Sequence, residues 1–154
     1  MNIRTTDPIS IIMLFARLAL GALFIVAGSA KVGHADIFAA QITAFHLVPR
    51  LLIAPIALLM PFGEVLLGAY LVIGLYVRVA STIAMIQLLI FAIAIAAAVS
   101  HGLSLSCGCF GPHDTTVTSW NEVGRDLLFA AVAAIVAWQP SRFLALDNRI
   151  GKNQ

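Results

Sequence analysis

Four long apolar stretches, at about 9–30, 52–76, 79–99 and 122–138, decide what this chain can fold into. A bilayer core about 30 Å thick is crossed by roughly 20 helical residues, and inside it every backbone N–H and C=O has to find its partner within a helix or a closed barrel. The runs are too continuous for the alternation of barrel strands, so helices are expected. Of the 154 residues, 61% are hydrophobic and only 10% charged, against about 45–50% apolar in soluble domains. The expected fold is all-α: an integral membrane four-helix bundle, built as one domain over 1–154.

The first span opens after Asp7-Pro8, where Asp7 suits a helix cap and Pro8 the first helical position. Its end, Ala27-Gly-Ser-Ala30, has the small residues of a signal-peptidase site, but the apolar run exceeds an h-region of about 7–15 residues, so a retained anchor helix is expected. Between Lys31 and Pro49, Ala35, Phe38, Ile42 and Phe45 recur at near-helical spacing among polar residues. This predicts a short amphipathic helix at the membrane surface between spans one and two. The second span carries Pro55 and Pro61, and the tight connection at Tyr76-Val-Arg78 makes spans two and three antiparallel neighbours. A polar loop over 100–121 follows, Trp120 and Trp138 suit the two interfaces of the fourth span, and 140–154 is a short basic tail.

The net charge is +2 and the nine basic residues are scattered, so no nucleic-acid surface is expected. Four spans place the N-terminus, the Arg78 connection and the tail on one side, with Arg4, Arg78, Arg142, Arg149 and Lys152; the other side holds Lys31 and Arg50, with Arg125 just inside the fourth span. The positive-inside rule then puts both termini in the cytoplasm and the 100–121 loop outside, where thiols can be oxidised.

That loop contains Ser106-Cys-Gly-Cys-Phe-Gly-Pro112, with the only two cysteines of the chain. Sulfurs at i and i+2 close only through a small ring, for which Gly108 supplies backbone freedom; a strained bond of this kind is easily exchanged and makes a poor staple. Cys107 and Cys109 are therefore a candidate redox pair. Two alternatives stand beside it: soft-metal binding, with Cys107, Cys109, His113 and His101 as ligands for zinc or copper, and two inert small residues in a tight turn. Arg125, directly after the loop, is the candidate to stabilise a thiolate; Lys31 suits the same role or simple anchoring at the interface. Glu122 and Asp126 suit the N-terminus of their helix, and His34 and His46 read as interfacial side chains.

Arg17 and Glu64 each fall midway along a span, in helices that run antiparallel, and are expected to share a depth and form an intramembrane ion pair. An isolated charge there costs at least about 2.5–3.5 kcal/mol. Such a pair either holds two helices in register or contributes to a proton path or a quinone-type site.

The order Arg17, Gly21, Phe24, Gly28, Lys31, then Pro49, Pro61-Phe-Gly-Glu64, Gly68, Gly74, Arg78, then Cys107-Gly-Cys-Phe-Gly111, Trp120 and Arg125-Asp126, resembles the MauE family of methylamine-utilisation membrane proteins, within the broader DoxX-like group. The first half is DoxX-like in general; the Cys-x-Cys-Phe-Gly loop with the following Trp and Arg-Asp is what resembles MauE. The resemblance implies a bacterial inner-membrane protein that helps produce or mature the disulfide-rich β (small) subunit of periplasmic methylamine dehydrogenase, alongside a thioredoxin-like periplasmic partner. It implies thiol–disulfide exchange at Cys107 and Cys109. The DoxX side implies instead a membrane subunit of a quinone-linked oxidoreductase, with quinone near Arg17 and Glu64, and a non-catalytic metal-binding or assembly subunit is the third reading.

Overall fold

The computed structural model describes residues 8–103 and 117–139. They form five helices: α1 (Pro8–Lys31), α2 (Ala35–Ala44), α3 (Arg50–Ile73), α4 (Val77–Ser100) and α5 (Trp120–Trp138). At a rise of 1.5 Å per residue the 24-residue helices α1, α3 and α4 are about 36 Å long, and all three are long and apolar enough to cross a membrane. The 19-residue α5 carries Glu122, Arg125 and Asp126 in its first two turns. Large apolar side chains point away from the bundle, with Phe15 67%, Leu128 63% and Ile93 68% exposed, as fits helices solvated by hydrocarbon. The all-helical membrane bundle expected from the sequence is the observed architecture, and α2 is the short helix expected after the first span.

Two helix ends differ from the apolar pattern. The second span was expected to run to Tyr76, but α3 stops at Ile73, because Gly74 takes a left-handed conformation (φ 77°) and the N–H groups of Gly74 and Leu75 both bond the Tyr70 carbonyl. Tyr76, also left-handed at φ 48°, then leads into α4. Hydrophobicity does not register such a turn; the backbone of Gly74 does. The last helix starts at Trp120, two residues before the apolar run, with Ser119 at its N-cap position.

Although the α3–α4 connection is tight, these neighbours touch far less than α1 with α3 or α4 with α5. The reason for the first close pair lies in three glycines. A methyl carbon placed on Gly21 would lie 3.0 Å from the Gly68 carbonyl oxygen, one on Gly28 would lie 2.7 Å from that of Pro61, and one on Gly68 would lie 2.6 Å from that of Gly21. Between helices that share an apolar solvent, van der Waals contact of backbones is a main source of attraction, and small residues permit it. The second pair uses alanines. Ala80, Ala84, Ala130 and Ala133 are buried in the main core with Leu20, Phe24, Leu71 and Val136. Val123 packs against Ala92 and Ile95, and Arg78 Nε donates to the Ala137 carbonyl at 3.3 Å, so α4 and α5 run antiparallel.

The glycine contacts also set the register. Gly28 lies beside Pro61 and Glu64, and Gly21 beside Gly68 and Val72. Helix α1 therefore ends near the level of Pro61, and the N-terminal part of α3 runs on past it, where α2 packs against α3 instead.

Candidate functional site

This register brings Glu64 to the end of α1. Lys31, the last residue of that helix, places Nζ 3.0 Å from Glu64 Oε1 and 2.9 Å from Oε2, and both side chains are 2% exposed. Gln87 of α4 donates from Nε2 to Glu64 Oε1 at 2.9 Å. The ammonium also lies 5.3 Å from the centre of the Phe38 ring and 5.5 Å from that of Phe91, within cation–π range. Four helices thus meet at one charge: Lys31 from α1, Phe38 from α2, Glu64 from α3, and Gln87 and Phe91 from α4. As a cation in the last turn of α1, Lys31 also faces the negative end of that helix dipole.

The expected pairing of Arg17 with Glu64 is replaced by this one. Arg17 precedes Gly28 by eleven residues, which separates it from the Glu64 level by about 16 Å along the helix. It lies one turn from Gly21, near the C-terminal end of α3, and is buried there. Counting from span ends gave the two residues equal depth because it assumed that α1 and α3 lie flush, whereas the glycine seam staggers them. A single quinone head group held by both Arg17 and Glu64 is not what this geometry offers.

A second charged group begins α5. Arg125 pairs with Glu122 one turn earlier and reaches Asp126 Oδ1 from Nη2 at 3.3 Å, and Asp126 is buried. Lys31, Glu64, Arg125 and Asp126 together line a small cavity of about 40 Å³, walled by Phe24, Phe91 and Phe129. A single water occupies a cavity of about 10–15 Å³ on the same measure, so the chamber has room for water between the two charge clusters. Arg125 is the residue expected to serve the cysteines; the structure joins it to Lys31 through this chamber. Gln87, Phe38 and Phe91 were not identified from sequence. Gln87 carried a usable signal, as a lone amide in an otherwise apolar span.

Cys107, Cys109 and His113 lie outside the described residues, as does the tail. The segment that carries them is anchored at both ends: buried Thr118 donates from Oγ1 to the Leu103 carbonyl at 3.0 Å, joining the exit of α4 to the entry of α5. His101 is exposed at the C-terminus of α4, where its N–H bonds the Ala97 carbonyl. Among the described residues no group of His, Cys, Asp or Glu is placed to hold a metal ion. Thr118→Val keeps the side-chain shape and removes the anchor. It should lower unfolding stability in mixed micelles by about 0.5–1.5 kcal/mol and speed proteolysis between residues 103 and 118; an unchanged proteolysis rate would show that the anchor is dispensable.

Comparison with known proteins points the same way as the motifs. Residues 9–139 match the family model described as Methylamine utilisation protein MauE. Methylamine utilization protein MauE of Paracoccus denitrificans is 32% identical over 122 residues, 79% of this chain and 66% of that protein. The protein of the same name from Methylorubrum extorquens is 32% identical over 129 residues, 83% of this chain and 69% of its own length. The chain thus spans about two thirds of the length of these relatives. No solved structure matches.

Proposed function

We propose that this chain, which belongs to the MauE family of methylamine utilisation proteins, is an inner-membrane thiol–disulfide relay for the maturation of periplasmic proteins, with the β subunit of methylamine dehydrogenase as client. The observation that carries the reading is the Leu103–Thr118 bond. It holds the two ends of the Cys-Gly-Cys segment together at the end of the bundle where Lys31 and Arg125 are found. The antiparallel α1–α3 and α4–α5 pairs put Arg78 at the opposite end of the bundle, and the positive-inside reading of the sequence supports a periplasmic side for the cysteines.

In the exchange, a client thiolate attacks one sulfur of the Cys107–Cys109 disulfide. A client–relay mixed disulfide forms, and the other relay cysteine leaves as a thiolate and takes up a proton. The second client thiolate then attacks the mixed disulfide, so the client gains a disulfide and the relay holds two thiols. A disulfide of the thioredoxin-like partner reoxidises the relay by the same two steps in reverse sense. Arg125, at the entry of α5, is the cation that favours the leaving thiolate, whereas Lys31 is sealed against Glu64.

The test is Cys107→Ser with Cys109→Ser, alone and together, in cells that make the dehydrogenase. Client β subunit should stay reduced and be degraded, while the variants insert normally; each single variant should accumulate a mixed disulfide with a periplasmic protein. Normal client maturation in the double variant would overturn the proposal.

A further inference from the structure

Above the level of Glu64 and Gln87, α3 and α4 separate, and α2 with the α2–α3 connection closes the gap. A cavity of about 590 Å³ results. Its lining comes from α2 (Phe38, Gln41, Ile42), the connection (Phe45, Leu47, Val48), α3 from Leu52 to Met60, and α4 from Ile90 to Ile95; Gln41 is the sole polar side chain among them. Pockets of roughly 300–1,000 Å³ take small molecules, and this one falls in that range.

We propose that this cavity holds one acyl chain of a bilayer phospholipid. Three features select that occupant. The lining offers a hydrocarbon chain continuous apolar contact, and it lacks the set of donors that a quinone head would need. Two of its walls, α3 and α4, are long and apolar enough to cross a membrane, so a lipid tail is the hydrocarbon at hand. Charge at the rim completes the match. Arg50 stands between Val48 and Leu52, both cavity residues, is exposed, and forms no ion pair among the described residues; it suits a lipid phosphate.

The position gives the lipid a consequence. Phe38 and Phe91 line the cavity, and the same two rings hold the Lys31 ammonium at 5.3 and 5.5 Å. One layer of aromatic carbon therefore separates the acyl chain from the Lys31–Glu64 pair, and an occupied cavity braces the rings against the ammonium. This inference stands on the described helices and does not depend on the thiol relay.

The experiment uses full-length protein in vesicles of phosphatidylglycerol doped with a phosphatidylglycerol that carries a diazirine in its acyl chain, with cross-linked residues mapped by mass spectrometry. Labelling is expected at Ile56, Leu59, Ile90 and Ala94 and should survive washing into lipid-free detergent, while labelling of outward-facing Ile93 is washed away. Ala94→Phe fills the cavity and should reduce retained labelling at least about tenfold, equivalent to roughly 1.4 kcal/mol of lost affinity. Leu52→Trp obstructs the rim and should act in the same sense if Ala94→Phe fails to fold. Arg50→Glu should weaken retention of the phosphatidylglycerol probe and leave an uncharged diazirine alcohol unaffected. Three results would overturn the proposal: cavity labelling no more persistent than that of Ile93, preferential capture of an isoprenoid diazirine probe offered in competition, or labelling unchanged by both filling variants.

Discussion

Lys31→Met should destabilise the bundle by about 3–5 kcal/mol, the usual consequence of leaving one member of a buried ion pair alone. Glu64 loses both of its bonds to the ammonium, at 3.0 and 2.9 Å, and keeps only the amide of Gln87. The two aromatic contacts go as well, each typically about 0.5–2 kcal/mol depending on desolvation. Glu64→Leu should cost a similar amount, because it strands the ammonium. The double variant Lys31→Met, Glu64→Leu should be more stable than either single one, since a buried pair replaced by apolar groups of similar size is often neutral. Unfolding of the four proteins in mixed micelles gives the cycle directly. Additive losses, or single losses within about 0.5 kcal/mol, would show that the pair does not organise the bundle. Arg17→Met enters the same series as a comparison: coupling between Arg17 and Glu64 should be near zero, because about 16 Å separates their levels.

The second large effect concerns the seam of α1 and α3. Gly68→Ala should cost about 1–3 kcal/mol, and Gly68→Ile should prevent the native pairing, because overpacking here cannot be relieved by a side-chain rotation. The atoms nearest the added carbon include the Gly21 carbonyl at 2.6 Å and the Ile25 nitrogen at 2.8 Å, which are backbone. To make room the helices must move apart, and the same movement draws Lys31 from Glu64. Gly63, five residues earlier on the same helix and so on another face, has no atom within 4 Å of the corresponding position. Gly63→Ala should therefore be neutral or gain up to about 1 kcal/mol from the better helix former. Measured unfolding of Gly63→Ala and Gly68→Ala separates a specific seam from a general dislike of larger residues in α3; equal effects would refute the seam.

Much of the architecture was legible beforehand, and particular residues show why. The apolar runs located α1, α3, α4 and α5 to within about three residues, and the spacing of Ala35, Phe38, Ile42 and Phe45 located α2. Residues 28 to 31 were legible as a helix end, but Lys31 read as an anchor for the interface, because nothing local distinguishes a snorkelling lysine from one sealed beneath two rings. Arg17 was the opposite case: a charge in the middle of an apolar run attracts a partner on paper, and Glu64 was the nearest acidic residue by span position. Arg125 and Asp126 stood out through their place at the start of the last apolar run, directly after the cysteine loop.

The sequence by itself determined which segments form the long apolar helices and to which family the chain belongs. Those properties depend on local composition against a solvent of fixed thickness and on residues adjacent in the chain. Tertiary structure alone decided which helices pair, how far α1 slides along α3, which cation meets Glu64, and that α3 and α4 part to leave a cavity beneath α2. Register between helices is a sliding coordinate that hydrophobicity leaves almost flat, since every position along an apolar helix is equally content in hydrocarbon. It is set where Gly21, Gly28 and Gly68 let two backbones touch, and the pairing of Lys31 with Glu64 follows from that stagger.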